Sequence, residues 1–284
     1  MKILIVGASG LLAKPVIRRL DEAGFQLCLF SRSVKPAMFS KDYEMVQGDL
    51  FNRDQLEKAV EGCEAIHISV STEDEDKAVE SIVTVAKEQK INRISMVSGC
   101  TVSEENRWFS FVDKKFRSEQ MIINSGIPYF IFRPTWFFES LALMVRNGKA
   151  TVIGKQPNRY HWVSADDFGR MVAQAYSGKG TANGIYYVYG PEKHGMKELL
   201  ERYCREFHPE IEKVSVAPIP LLRIIALMNG SSQLKQAIAL FSYFEKVQEP
   251  VIPEEELALL GRPEMDFEAW IASKKKDQNE RLQK

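Results

Sequence analysis

Two glycines near the N-terminus have the spacing that a phosphate-binding turn requires. Gly7 and Gly10 follow the aliphatic run Ile3–Val6, and Ala13 follows Gly10 at the next matching position. Between a strand and a helix, such glycines permit a tight turn and a close approach of backbone to phosphate, and a small third residue lets the helix pack on the strand. The positive N-terminal end of that helix favours an anion. The pattern predicts a dinucleotide pyrophosphate site formed by Gly7, Ser9, Gly10, Leu11 and Leu12; the alternative is an ordinary strand–helix connector.

The end of the second predicted strand indicates which dinucleotide is bound. Ser31 and Arg32 stand roughly 20 residues beyond the turn, where an NAD site has an acidic residue for the ribose 2′-hydroxyl. No Asp or Glu occurs between Phe25 and Ala37. A guanidinium pairs with a 2′-phosphate, whereas a carboxylate would repel it. We therefore expect NADP(H) to be preferred over NAD(H), unless Arg32 is an ordinary surface residue.

Two further strand ends are candidates for cofactor contacts. Asp49 and Leu50 follow the third predicted strand and are placed to meet the adenine edge, although turn capping would also explain Asp49. Ser69 ends the fourth predicted strand, at the carboxyl edge where ligands of doubly wound sheets collect. The alternative for Ser69 is that it only terminates the strand.

Strand-like apolar runs alternate with segments of helical period, which indicates a parallel sheet with helices on both faces. Beyond the first strand, the predicted strands are 26–30, 44–46, 65–70, 93–97, 129–132 and 184–188. The predicted fold class is α/β, a doubly wound parallel sheet of Rossmann type with a small, mostly helical C-terminal lobe. We expect the dinucleotide-binding domain at 1–190, a lobe for substrate or partner at 191–271, and a frayed polar tail at 272–284.

The composition is that of an ordinary globular protein. The 284 residues are 45% hydrophobic and 27% charged, and 38 Lys and Arg balance 38 Asp and Glu. Zero formal charge does not favour nucleic-acid binding. The apolar stretches are too short or too interrupted to cross a bilayer of ~30 Å. Four scattered cysteines without histidines at metal spacing predict reduced thiols, no metal site and a cytoplasmic location.

Several short motifs together resemble the atypical and extended short-chain dehydrogenase/reductases, especially their NmrA-like group. The resemblance covers most of the chain. Besides the glycine turn, it rests on Gly48–Leu50, Lys115 with Glu119, Ser125–Tyr129, Arg133–Pro134 and His161–Asp167. It implies a Rossmann fold but leaves the chemistry open, because the family includes reductases, epimerases and non-catalytic redox sensors.

The resemblance also implies a Tyr-x-x-x-Lys pair, in which the lysine holds the nicotinamide ribose and lowers the tyrosine pKa. Lys115 matches that lysine, but Phe111 occupies the tyrosine position and has no proton to give. The residue that polarises the substrate would be Ser98, Cys100 or Thr101. The candidate catalytic residues are therefore Lys115, Thr101 and Cys100. An exposed Lys115 paired with Glu119 is the alternative.

Three explanations of the missing tyrosine stay open. Lys115 itself acts as general acid or base, or the acceptor is a quinone or conjugated carbonyl protonated by another group, or no turnover occurs. Trp136 and Phe137 follow Arg133–Pro134 and are expected to give a substrate an aromatic wall. We predict an NADP(H)-dependent oxidoreductase that acts on a small carbonyl, enone or quinone. The alternative is a non-catalytic NADP(H)-binding redox sensor with a regulatory protein partner; a sugar-nucleotide epimerase is disfavoured by the missing tyrosine.

Overall fold

Strands and helices alternate in the first part of the chain, as the apolar runs predict. The computed structural model describes residues 1–282. The first elements are β1 (Lys2–Val6), α1 (Ala13–Glu22), β2 (Gln26–Ser31), β3 (Glu44–Gln47), α2 (Arg53–Val60), β4 (Ala65–Ile68), α3 (Glu75–Glu88), β5 (Arg93–Val97), α4 (Ser110–Ile123) and β6 (Tyr129–Pro134).

The later part contains shorter strands and six further helices of the described chain. Its elements are β7 (Trp136–Phe137), β8 (Val145–Arg146), β9 (Lys149–Ile153), β10 (Arg159–Val163), α5 (Ala165–Gln174), β11 (Gly184–Val188), β12 (Lys193–Gly195), α6 (Met196–Phe207), β13 (Ser215–Ala217), α7 (Ile219–Asn229), α8 (Ser232–Phe244), α9 (Glu254–Leu257) and α10 (Phe267–Leu282).

Seven strands form one parallel sheet in the order β3–β2–β1–β4–β5–β6–β11. Strand β1 is completely buried from Ile3 to Val6, which explains its unbroken aliphatic sequence. The strand order reverses between β1 and β4. In open α/β sheets, ligands bind at the carboxyl ends of the strands beside such a reversal. The predicted fold class is confirmed, and it places the glycine turn after β1 at this edge.

The chain forms two compact units, each made of three segments. Unit 1 consists of Met1–Pro134, Ala165–Val188 and Val251–Pro263, and it contains the seven-stranded sheet. Unit 2 consists of Thr135–Ser164, Tyr189–Pro250 and the chain from Glu264 on. The sequence suggests a single boundary near residue 190, whereas the chain enters unit 2 already at Thr135.

Within unit 1, helix α5 packs closely on α1. A Cβ at Gly169 would come 2.8 Å from the Pro15 carbonyl oxygen, so the two backbones approach at a distance that requires glycine. Arg19 Nε donates to Asp166 Oδ1 over 2.9 Å and braces the same pair of helices. These contacts fix α1, whose N-terminus carries the glycine turn.

Unit 2 has its own core, to which all three of its segments contribute. Trp162, Leu199 and Trp270 are each no more than 3% exposed. Two small sheets flank this core, with strand orders β12–β10–β7 and β13–β9–β8. The polar residues from 272 on, expected to be frayed, continue helix α10 as far as Leu282; positions 283 and 284 lie outside the described residues.

Residues 1–282 include no helix that combines the length and the apolar character needed for a bilayer crossing.

Candidate functional site

The glycine turn has the backbone geometry that its sequence predicts. Gly7 has φ +86°, and a Cβ there would lie 2.1 Å from the Ser69 carbonyl oxygen. The Gly10 amide donates to the Gly7 carbonyl over 2.9 Å and closes the turn. Three amides of this turn, those of Ser9, Leu11 and Leu12, donate no hydrogen bond to another backbone group of the described chain. They precede α1 at its positive end, so they are available to an anion.

The loop after β2 lies against the glycine turn. The Ser33 hydroxyl donates to Ser9 Oγ over 3.0 Å, and Ser31 Oγ accepts the Ser33 amide over 3.3 Å. The Arg32 carbonyl accepts Gln47 Nε2 over 2.7 Å, which fixes the backbone of the loop. The Arg32 side chain is exposed, and among residues 1–279, whose side chains the structure describes, its guanidinium has no ion-pair or hydrogen-bond partner. An uncompensated cation therefore stands on the loop that contacts the phosphate turn.

Local structure explains the residues at the next two strand ends. Asp49 forms a capping turn, because its Oδ1 accepts the Phe51 amide over 3.1 Å. Leu50 is partly buried and packs against the hydrophobic core of unit 1. The Ser69 amide donates to the Val6 carbonyl over 3.0 Å and so extends the pairing of β4 with β1. The expected contacts of Asp49, Leu50 and Ser69 with a cofactor stay predictions.

Lys115 is buried and paired with a glutamate that sequence reasoning missed. It is 6% exposed, and its Nζ lies 2.9 and 3.1 Å from the two carboxylate oxygens of Glu75. Nζ also donates to the Val97 carbonyl over 3.3 Å. An ammonium has three N–H donors, and these three hydrogen bonds, two to Glu75 and one to Val97, use all of them. The alternative of an exposed Lys115 paired with Glu119 is wrong.

The Lys115–Glu75 pair joins α4 to the start of α3. A second contact between the same helices, Arg117 Nη1 to Asp76 Oδ2 over 2.8 Å, lies beside it. Burial raises the pKa of Glu75, and the positive charge of Lys115 acts in the opposite direction. Breaking a buried pair leaves an uncompensated charge, which is strongly unfavourable. Lys115 is therefore held in one position at the end of β5.

Ser98 belongs to a separate buried network that joins β6 to α4. Its hydroxyl donates to Glu119, which also accepts two hydrogen bonds from the Arg133 guanidinium, of 3.0 and 2.6 Å. Arg133 Nη1 donates to the Tyr187 hydroxyl over 2.8 Å. Burial by itself would lower the pKa of Arg133, but the hydrogen bonds and charge of Glu119 raise it. The proton of the Ser98 hydroxyl is therefore used in the hydrogen bond to Glu119.

The other two candidates for polarising a substrate lie in the loop after β5. Cys100 and Thr101 are 5% and 6% exposed. The Cys100 amide donates to the Pro134 carbonyl over 2.9 Å, and the Thr101 carbonyl accepts Asn106 Nδ2 over 2.9 Å. These backbone contacts fix the loop beside the end of β5. The Ser98 hydroxyl is already hydrogen-bonded to Glu119. The catalytic roles of Cys100 and Thr101 stay predictions.

Trp136 and Phe137 form strand β7 in unit 2. The Trp136 ring stacks on Trp162 at a centroid distance of 5.6 Å and packs on Phe241 and Phe244 at 6.0 and 4.8 Å. These contacts explain the residue as part of the packing of unit 2. Among the described residues its indole N–H is buried without a hydrogen-bond partner. A contact of Trp136 or Phe137 with a substrate stays a prediction.

The residues at the carboxyl edge of unit 1 fit a phosphorylated dinucleotide. The turn offers three amides at a helix N-terminus, Arg32 offers a cation for a further phosphate, and Lys115 offers an ammonium held at the end of β5. Glu75 is the partner of Lys115 that sequence reasoning missed. Its position in the acidic stretch at the start of α3, directly after the β4 end, was the available signal.

Comparisons with known proteins agree with this geometry. The family model described as NAD(P)H-binding matches residues 7–177. The photosystem II assembly factor Ycf39 of Cyanophora paradoxa is 23% identical over 239 residues, which cover 79% of this chain and 74% of that protein. A (4-alkanoyl-5-oxo-2,5-dihydrofuran-3-yl)methyl phosphate reductase of Streptomyces griseus subsp. griseus is 28% identical over 211 residues, or 72% of this chain and 73% of that one.

Solved structures share the fold. The triphenylmethane reductase of Citrobacter sp., complexed with NADP(H), matches with a TM-score of 0.75 at 16% sequence identity. The match covers 96% of this chain and 99% of that one. At this level of identity the likeness establishes the Rossmann architecture and not the reaction.

Proposed function

This chain belongs to the NAD(P)H-binding family, among the atypical short-chain dehydrogenase/reductases, and from that premise we propose that it is an NADP(H)-dependent oxidoreductase that reduces a small carbonyl, enone or quinone. The observation that carries the proposal is the glycine turn with its three available amides, in contact through Ser9 and Ser33 with the loop that bears Arg32. The proposed pyrophosphate site and the proposed cation for a 2′-phosphate therefore lie on adjacent loops.

Each cofactor contact follows from the chemistry of the group present. The amides around Ser9 and Leu12 bind the pyrophosphate, because they lie at the positive end of α1. Arg32 binds the 2′-phosphate, since a guanidinium matches phosphate oxygens in geometry and charge. Lys115 donates to the nicotinamide ribose in place of its longest hydrogen bond, the one of 3.3 Å to the Val97 carbonyl, while Glu75 holds the ammonium in place.

The missing tyrosine restricts the acceptor. When bound, NADPH supplies a hydride to the acceptor and leaves as NADP⁺. The acceptor also takes one proton, and Phe111 has none to give. Quinones and enones suit this arrangement because they delocalise the negative charge of the reduced product until water provides the proton. Thr101 or Cys100 is the proposed contact to the acceptor oxygen.

One relative supports a reductase rather than another use of the cofactor. The Streptomyces griseus protein, 28% identical to this chain, is named a reductase. The experiment is a titration of the pure protein with NADPH and NADH, followed by assays of NADPH oxidation with a panel of quinones and enones. We expect NADPH to bind at least about tenfold more tightly than NADH, as one charged hydrogen-bonded contact provides. Failure to bind either cofactor, or a preference for NADH, would contradict the proposal.

The second candidate function is a non-catalytic NADP(H)-binding regulator with a protein partner. Phe111 in place of the catalytic tyrosine favours it, and so does the likeness to a protein named as an assembly factor. This candidate predicts NADPH binding without oxidation by any acceptor of the panel. Steady turnover that is lost in Lys115→Ala would exclude it.

A further inference from the structure

Helix α7 of unit 2 is apolar on the side that faces solvent. Four exposed side chains recur along it at the three- and four-residue spacing of one helix face. They are Leu221, Ile224, Leu227 and Met228, which are 53%, 57%, 76% and 80% exposed. We name these four residues the α7 face. Proteins usually bury such side chains, and a contiguous group of them on the surface marks an interaction site.

The opposite side of α7 is also apolar, and it attaches the helix to unit 2. Ile219 and Ala226 are buried in one small core with Ile238 of α8, and Ile153 of β9 packs against this core. A helix that is apolar all round is normally buried. Helix α7 has one charged residue among its 11, Arg223. It therefore keeps a second apolar side that its packing within the chain does not cover.

The part of unit 2 that carries α7 has an excess of basic residues. Residues 213–244 contain β13, α7 and α8, and β13 pairs with β9 of the segment 145–155. These two segments contain no Asp or Glu and six Lys or Arg, which are Arg146, Lys149, Lys155, Lys213, Arg223 and Lys235. The chain as a whole has 38 residues of each sign, so this positive charge is local.

The six basic side chains are exposed and lack counter-ions. None of them has an ion pair within residues 1–279, whose side chains the structure describes. The acidic residues that border the segment 213–244 are Glu212 and Glu245. The Glu245 carboxylate accepts the Lys155 amide over 2.5 Å, so it is bound to backbone. Apolar surface and unmatched positive charge therefore occur together in this part of unit 2.

This charge indicates what covers the α7 face. A second copy of the chain would bring the same basic residues towards one another, with no acidic residue of these segments to pair with them. A bilayer with anionic lipids offers an apolar layer and negative headgroups together. With 11 residues, roughly 16 Å, α7 is too short to cross a hydrocarbon layer of ~30 Å, but it has the length of an interfacial segment.

We propose that unit 2 binds the surface of a bilayer that contains anionic lipids. The α7 face lies among the lipids, and the basic residues of the two segments attract the headgroups. Binding is peripheral, since α7 lies along the surface and does not span it. The proposal concerns a lipid surface and is independent of the reaction that the cofactor supports.

Co-sedimentation of the full-length protein with vesicles tests the proposal. The probes are vesicles of phosphatidylcholine alone and of equal parts phosphatidylcholine and phosphatidylglycerol. We expect binding to the mixed vesicles that weakens in high salt, and binding to phosphatidylcholine alone that is at least about tenfold weaker, because several charge contacts are lost. No binding to the mixed vesicles, or equal binding to the two kinds, would overturn the proposal.

Two leucines form a matched pair of variants. Leu221 and Leu259 are 53% and 52% exposed, but Leu259 belongs to unit 1. We expect Leu221→Gln to weaken binding to the mixed vesicles about tenfold, as the loss of one buried apolar side chain implies, and Leu259→Gln to leave it unchanged. Leu227→Gln, on the same face as Leu221, should act like Leu221→Gln. Equal binding by the three variants would overturn the role of the α7 face.

A second pair of variants tests the charge. We expect Arg223→Gln to weaken binding to the mixed vesicles about fivefold, and Lys58→Gln, an exposed lysine of unit 1, to have no effect. Equal binding by these two variants would contradict the electrostatic part of the proposal. Far-UV circular dichroism shows whether each variant is folded, and we expect the wild-type spectrum because every substituted side chain is exposed.

The mass of the protein without vesicles separates a lipid surface from a second copy. Light scattering measures that mass for the wild type and Leu221→Gln, and we expect the same mass for both. A wild-type dimer that Leu221→Gln dissociates would assign the α7 face to a second copy and overturn the proposal. The vesicle assay contains neither cofactor nor acceptor, so its outcome is separate from that of the proposed function.

Discussion

At the scale of the residue, selectivity for the cofactor depends on one uncompensated charge. Arg32 is exposed, and its backbone is fixed by the hydrogen bond from Gln47 while its guanidinium has no partner in the described chain. Most arginines near the sheet are paired; Arg19, Arg117 and Arg133, for example, each contact a carboxylate. An arginine that is neither paired nor buried gains most from an added phosphate.

Arg32→Glu tests that assignment. We expect NADPH binding to weaken about 10- to 100-fold, because a charged hydrogen-bonded contact is replaced by repulsion, and NADH binding to change much less. Fluorescence titration with both cofactors measures the two dissociation constants. Lys58→Glu, the same change of charge on an exposed residue of α2, is the control and should leave both constants unchanged. Equal weakening for both cofactors would assign Arg32 to the support of the loop.

Glu75→Gln tests the buried pair. Removing the carboxylate charge leaves the Lys115 ammonium buried without its counter-ion, so we expect the free energy of unfolding to fall by about 3 kcal/mol. Urea unfolding measures this change. In Glu88→Gln, an exposed carboxylate that pairs with Arg53, we expect a loss below about 1 kcal/mol.

Glu75→Gln also separates a role of Glu75 in positioning Lys115 from a purely structural role. Under conditions where Glu75→Gln is fully folded, we expect a higher KM for NADPH, because Lys115 loses the group that orients it. An unchanged KM would show that Glu75 stabilises the fold and does not position Lys115.

The identity of the Lys115 partner shows what sequence spacing cannot supply. Glu119 stands one helical turn from Lys115, so the periodicity of α4 favours that pair. The folded chain instead brings Glu75 to Lys115 from 40 residues away, and Glu119 is taken by Arg133. Which acidic residue of α3 faces α4 depends on how the two helices are rotated about their axes. That rotation is set by tertiary packing, whereas the match of Lys115 to a motif lysine needs only the sequence.

At the scale of the element, the turn from β1 to α1 makes glycine indispensable at position 7 for two separate reasons. The positive φ disfavours any side chain, and a Cβ would lie 2.1 Å from the Ser69 carbonyl oxygen. Gly24, after α1, offers a comparison, because its φ is +84° and a Cβ there would meet no atom within 4 Å. The two glycines therefore differ in crowding and not in backbone strain.

Gly7→Ala and Gly24→Ala should differ accordingly. Gly24→Ala carries the conformational penalty alone, about 1 kcal/mol of unfolding free energy. Gly7→Ala forces β1 and β4 apart at the site, so we expect a clearly larger loss and a loss of NADPH binding. Urea unfolding and NADPH titration measure the two effects. Equal destabilisation of the two variants would show that the turn relaxes around a Cβ.

Strand β4 carries a buried histidine, His67, which makes the stability of the fold depend on pH. His67 Nδ1 lies 2.7 Å from Ser95 Oγ, which lies 2.7 Å from the Tyr176 hydroxyl. Complete burial lowers the pKa of His67 from 6.5 to about 4. The folded chain therefore keeps the imidazole neutral at pH values where the unfolded chain protonates it.

The sign of this effect gives a test. The stabilising contribution is complete above pH 6.5 and is lost as the pH falls towards 4, by up to about 3 kcal/mol. In His67→Gln we expect a smaller decrease of the unfolding free energy between pH 7 and pH 4 than in the wild type, as urea titrations would show. An unchanged slope in His67→Gln would mean that the imidazole binds its proton equally well in the folded and the unfolded chain.

Elements with strong local signals could be predicted from the sequence. The strand at 93–97 and the late strand at 184–188 coincide with β5 and β11, because each is a short apolar run with clear ends. Strand β7 has two residues and pairs with β10, which is distant in the sequence, whereas β8 pairs with its neighbour β9 in a hairpin. No local pattern marks a strand such as β7, so the sequence did not show that the chain enters unit 2 at Thr135.

At the scale of the whole molecule, the interleaving of the two units along the sequence determines where the chain can be truncated. Phe138 and Trp162 lie before residue 190, but their core partners come from beyond it. The Phe138 ring lies 5.3 Å from Phe267 and 5.5 Å from Trp270. A boundary near residue 190 would therefore divide the core of unit 2.

A chain that ends after residue 190 tests this organisation. We expect it to lose cooperative unfolding and to aggregate, because the core residues between Thr135 and Ser164 would face water without Leu199, Phe267 and Trp270. Thermal unfolding followed by circular dichroism, with light scattering for aggregation, measures the outcome. A chain that ends after Lys276 is the control, since it keeps the described contacts of Phe267 and Trp270, and it should unfold like the full-length protein. If the shorter chain folds cooperatively and binds NADPH with full affinity, the segment from Thr135 to Ser164 does not need the rest of unit 2.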